Sequence, residues 1–91
     1  MKATGGVSRE AWRECGKRVA LQRKRRLLKQ SQLATRMERS AGYIAKFESD
    51  PSHANVKTWL RLIGVIGGTM DWYLAPVIAD MRRSMRRWLE E

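Results

Sequence analysis

The sequence predicts an all-α chain: a compact bundle of five to six short helices carrying an extra amphipathic helix at its C-terminus. Three observations predict it. Apolar residues recur at three- and four-residue spacing along most of the chain, the period of one helix face. Residues that cap helix starts (Ser8, Ser40, Thr69) stand just ahead of such stretches. Pro51, the pair Gly67-Gly68 and Pro76 break the pattern between them. With 91 residues the chain makes one domain with a thin core, to which Trp12, Trp59, Trp72 and Trp88 each bring a large apolar area.

The elements follow in order. Residues 1–7 read as a flexible arm. Behind the cap Ser8, a first helix runs to about Arg26 with Trp12, Cys15 and Val19 on one face. A second, Gln30 to Met37, turns Leu33, Ala34 and Met37 inward. A third, capped by Ser40 and spanning Ala41 to Glu48, turns Ile44 and Phe47 inward. Asp50-Pro51-Ser52 is a loop, because proline disfavours helical backbone in the residue before it. A fourth helix, Asn55 to Ile66, sets Val56, Trp59, Leu60 and Ile63 toward the core and stops at the glycines, which tolerate a left-handed backbone. Thr69 caps a short turn, Met70 to Leu74. After Pro76 a separate last helix reaches about Leu89, with Val77, Ile78, Met81, Met85, Trp88 and Leu89 in one stripe. This divides the chain into the arm, a body over residues 8–75 and a C-terminal helix over 76–91.

Charge narrows the partner. Nineteen Lys and Arg face nine acids, a net +10, and residues 1–50 hold thirteen of the basic and five of the acidic side chains. Between Glu14 and Glu38 stand eight basic residues and no acid, a field that attracts polyanions. Metal chemistry has little to work with: Cys15 and His53 are the only cysteine and histidine. No apolar run has the length of a membrane span, and no signal-peptide stretch opens the chain, so a cytoplasmic place, among the nucleoid DNA, is expected. No nucleophile, base and orienting group stand at workable spacing, so no enzymatic activity and no cofactor are expected.

The stretch QSQLATRMERSAGYIAKFES carries the sharpest pattern. Gln30, Leu33, Ala34, Ser40, Tyr43, Ile44 and Glu48 sit at the spacing of two helices crossing steeply at a small residue, Ala34. Together with NVKTWLRLIGVIGGTMDWYL it resembles the Xre or lambda-repressor-like helix-turn-helix family, over about Cys15 to Leu74. The resemblance implies a repressor-type regulator that binds double-stranded DNA as a homodimer on an inverted repeat. It assigns Gln30 to the DNA backbone, Ala41, Gly42 and Lys46 to base edges, and Ser40 and Tyr43 to phosphate or sugar. Arg39 would reach a phosphate, and Arg25, Arg26 and Lys29 would add sequence-independent affinity. Two departures stand out: Glu38 occupies a turn position where the family usually has glycine, and Arg39 one that is usually apolar. Glu48 is expected to pair with Arg18 or Arg23 rather than meet phosphate.

Ile78, Met81, Met85 and Trp88 are the expected dimer contact, though the same stripe suits a core. An alternative comes from KFESDPSHANVKTWLRLIGVIGGTMDWYL, which resembles HipB-type antitoxins and implies a toxin protein as a second partner. An interfacial helix on anionic lipid is the weaker reading of the stripe, and no membrane partner is expected.

Overall fold

The computed structural model describes residues 7–90, the side chains of Arg87, Trp88 and Glu90 excepted. It is all-α: α1 (Arg9–Arg25), α2 (Gln30–Met37), α3 (Ala41–Ser49), a 3-10 turn (Pro51–His53), α4 (Val56–Ile66) and α5 (Met70–Glu90). The expected arm lies outside the described residues except for Val7.

Caps set the boundaries. The hydroxyl of Ser8 accepts from the Ala11 N–H at 3.1 Å, that of Ser40 from Tyr43 at 3.0 Å, and that of Thr69 from Trp72 at 3.1 Å, while the side-chain Oδ1 of Asn55 accepts from the Thr58 N–H at 2.9 Å. Each satisfies one of the N–H groups a helix start leaves unpaired. The 3-10 turn is opened by Asp50, whose carboxylate accepts from Ser52 N at 3.1 Å. The hydroxyl and N–H of Ser52 hold that carboxyl below its ordinary range.

The larger core gathers Val19, Leu28, Leu33, Ala34, Met37, Ile44, Phe47, Trp59, Leu62, Ile66 and Tyr73 from all five helices. A smaller cluster, Ala11, Cys15 and Val77, joins α1 to α5. Burial pushes the Cys15 thiol up, which keeps it protonated and inert. Tyr73 is fully buried and donates to the Gly67 carbonyl at 2.6 Å; desolvation raises its hydroxyl to about 12.

Two expectations are corrected. The turn at Met70 to Leu74 and the helix after Pro76 are one helix, and Pro76 lies inside it. A proline has no N–H for the carbonyl four residues back, which here belongs to Trp72. The Arg18 guanidinium donates to that carbonyl at 2.8 Å and lies 5.3 Å from the Trp72 ring centre. A side chain of α1 thus replaces the bond that Pro76 removes, while Tyr73 and Val77 bury the helix on both sides of the break. On α4, Trp59 and Ile63 face the core as expected, but Val56 and Leu60 do not: they are 66% and 59% exposed, and Thr58, Leu62 and Ile66 are buried in their place. Lys57, Arg61 and Gly64 mark the outer side of the helix, Val56 and Leu60 flank it, and Trp59, wedged between Phe47 and Tyr73, anchors the inner one.

One close approach locks α1 to α3. Gly16 is buried, and a Cβ there would lie 2.0 Å from the backbone oxygen of Glu48. Only a residue without a side chain lets the two helices meet at that point.

Candidate nucleic-acid interface

Buried contacts fix α2 and α3 to each other and leave the start of α3 open. Leu33, Ala34 and Met37 from α2 meet Ile44 and Phe47 from α3 in the core, Ala34 supplying the small side chain that the crossing needs. Between the helices stand Glu38, Arg39 and Ser40. Glu38 adopts φ 58° and ψ 44°, a left-handed backbone. Its N–H reaches the Thr35 carbonyl, and the N–H of Arg39 reaches that of Ala34 at 2.9 Å. These two bonds are the pattern that normally ends a helix on glycine. The turn therefore keeps the conformation expected of a glycine and places a glutamate in it. Arg61 comes within 3.9 Å of the exposed Glu38 carboxylate, a pair worth little in water.

Beneath α3 lies a buried ion pair. Glu48 receives Nε of Arg23 at 2.6 Å and its NH2 at 3.1 Å, and both side chains are less than a tenth exposed. Arg23 also donates to the Leu28 carbonyl at 2.8 Å, and Gln30 donates to Glu48 at 2.9 Å. Among the described residues no buried side-chain polar atom lacks a partner. Of the two arginines expected to pair with Glu48, Arg23 does so, and Arg18 serves Trp72 instead. Gln30, assigned by resemblance to a DNA backbone contact, spends its amide N–H on the carboxylate.

The remaining sequence-derived positions fall into two groups. Ser40, Ala41, Gly42 and Lys46 are exposed on one end of α3, with Tyr43 half-buried and the Arg39 guanidinium 5.4 Å from its ring centre. A Cβ on Gly42 would meet only the Ser40 hydroxyl, at 3.9 Å, so nothing within the chain requires glycine there. The second group sits where α1 meets α2. Lys29 is exposed and its N–H is held by the Gln32 side chain at 2.8 Å. Arg25 and Arg26 lean away from α3: Arg25 lies 5.7 Å from the Trp72 ring, and Arg26 donates to the Ile66 carbonyl at 3.0 Å, beside Gln22. Both remain exposed.

Two features have no counterpart in the sequence reading. A shallow cleft of about 140 Å³ opens beside α3, floored by Phe47, Pro51 and Ala54 and rimmed by Tyr43, Lys46, Asp50 and His53. Leu27, between α1 and α2, is 88% exposed and also left-handed, at φ 59°. Spacing does not signal either one, because both depend on how a turn closes. Of the expected pairing residues, Ile78 is half-buried, Met81 and Met85 are exposed, and the Trp88 side chain lies outside the described set.

No group of three or more metal-ligating side chains comes together among the described residues. Among the described residues no helix is long and apolar enough to cross a membrane. No family model matches the chain, and neither a curated protein nor a solved structure matches it.

Proposed function

We propose that this chain is a sequence-reading, double-stranded-DNA-binding regulator of the repressor type, that two copies act together, and that α3 enters the major groove. One observation carries the reading: α3 is held from behind by buried residues and presents a solvent-facing first turn, capped by Ser40, next to exposed cations. Ile44, Phe47 and Glu48 anchor it, while Ser40, Ala41, Gly42 and Lys46 are exposed. An α-helix about 10–12 Å across fits a groove of about that width. Its first-turn N–H groups and positive dipole end favour a phosphate at Ser40, and Arg39, stacked on Tyr43, adds a charge beside it. Lys46, one turn further on, is the base-edge donor, and Ala41 offers a methyl for thymine. Gly42 leaves room for the groove wall. Lys29, exposed where α1 meets α2, supplies sequence-independent attraction. The chain works as a binding protein, with no catalytic step, in the cytoplasm on nucleoid DNA.

The test is selection of bound duplexes from a random-sequence pool at moderate salt. Enrichment of a short inverted repeat is the expected result, and a pool that stays random overturns the reading. Lys46→Ala should lower discrimination between the selected site and random DNA. Lys29→Ala should weaken both alike and reduce the slope of log affinity against log salt by about one.

A second reading, an antitoxin that represses its own operon and masks a toxin, is favoured by the second apolar surface at Val56 and Leu60. A toxin reading frame adjoining the gene distinguishes it.

A further inference from the structure

We infer that the C-terminal half of α5 is the surface on which two copies of this chain pair, and that the two helices run parallel. The inference rests on the paired-regulator reading above and specifies its contact. α5 has two working sides. On one, Val77 is buried against Ala11 and Cys15, and Asp80 accepts the Ser8 N–H at 2.7 Å, so this side belongs to α1. The other carries Ile78, Met81 and Met85, spaced three and four, and in the sequence Trp88 continues that spacing three residues on, the repeat by which two helices interlock. There Met81 and Met85 are 47% and 59% exposed, and Leu89 beside them is 82% exposed. The helix has 21 residues, about 31 Å at 1.5 Å each, in a molecule 48 Å long and only 23 by 19 Å across.

The flanks of the stripe say which occupant fits, and in which direction. On the heptad set by that spacing, Arg82 borders one edge, while Val77 and Ser84 border the other. Two parallel helices set unlike edges together, so Arg82 of one copy lies along the uncharged edge of the second, where Val77 is already buried against α1. Two antiparallel helices set like edges together and bring Arg82 against Arg82. Arg83 points off the stripe and is already bonded to Asp80 at 2.6 Å. A strongly acidic partner would find only one charged edge and would leave the uncharged one unmatched. The free stripe is little more than one heptad long, so pairing is concentration-dependent and DNA carrying two half-sites strengthens it.

The experiment is disulfide trapping without DNA, so that its outcome is independent of the operator selection. Met81→Cys and Met85→Cys are made separately; both positions are exposed, and native Cys15 is fully buried and stays out of the reaction. Each variant is oxidised alone and then mixed with the other, after its circular dichroism is matched to the parent. Parallel pairing gives a covalent dimer from each variant alone, with no gain on mixing. Dimer from the mixture only, or from one variant only, means antiparallel helices and overturns the orientation. Monomer throughout, with a sedimentation mass unchanged by Met85→Asp at high concentration, overturns the surface itself.

Discussion

Glu38 carries a left-handed backbone that costs a side-chain-bearing residue about 1–2 kcal/mol, and nothing in its surroundings repays much of it. Glu38→Gly should therefore raise stability by about 0.5–1 kcal/mol in urea unfolding, the gain being trimmed by the greater freedom of glycine in the unfolded chain. An unchanged or lower midpoint would mean that the pair with Arg61 is worth far more than its 3.9 Å separation suggests. Gly16 gives the opposite sign. Its missing Cβ is the space into which the Glu48 backbone fits, so Gly16→Ala forces α1 and α3 apart. A loss of about 2–3 kcal/mol is expected, in the range of overpacked cores. Since the same displacement would strain the Arg23–Glu48 bonds, the DNA affinity that the proposed function implies should fall with it. Equal stability in the alanine variant would show that α3 can slide without cost.

At the scale of elements, α5 depends on a partner outside itself. Arg18 occupies the carbonyl that Pro76 leaves unbonded, so the two residues form a thermodynamic pair through Trp72. Arg18→Ala should destabilise the protein by about 1 kcal/mol, and by much less in a Pro76→Ala background, where an N–H returns to Trp72. Additive effects in that double-mutant cycle would remove Arg18 from the account. The same contact explains why Pro76 misleads a reader of the sequence. Its local preference marks a helix start, and a donor fifty-eight positions earlier in the chain overrides it. By contrast, the boundaries of α1 to α4 depend on adjacent side chains such as Ser8, Ser40 and Asn55, and these are legible from neighbours alone. Glu48 was legible as one half of an ion pair for a simple electrostatic reason: a carboxylate in a basic chain finds a cation. On α4, Trp59 and Ile63 were legible as inward, but Val56 and Leu60 mislead because they are as apolar as Leu62 and Ile66, which are buried in their place. The exposed end of α3 was legible as a group, whereas the direction in which Arg25 and Arg26 lean depends on Trp72 of α5 and on the last carbonyl of α4, and is invisible from spacing.

Across the whole molecule, charge and pH act together. The Ser8 N–H, then Arg83, hold the Asp80 carboxyl below its ordinary range, fastening the start of α1 to α5. A carboxyl depressed in the folded state stabilises above its unfolded pKa and loses that contribution as pH falls. Nineteen basic side chains meanwhile lose their nine acidic counterweights. The protein should therefore unfold on acidification from about pH 5 downward, and Asp80→Asn should flatten the upper part of that limb. An acid limb identical in the two proteins would remove Asp80 from the account. The aromatic rings make a further connection across the body. Tyr43 stacks on Phe47 at 6.2 Å, Phe47 meets Trp59 at 5.0 Å, Trp59 meets Tyr73 at 5.8 Å, and Tyr73 meets Trp72 at 5.2 Å. Light absorbed by the tyrosine on α3 has a short path to a buried indole that emits. The chain thus carries its own optical reporter: whatever settles on Tyr43 alters the energy passed to Trp59, and the emission can be followed without attaching any dye.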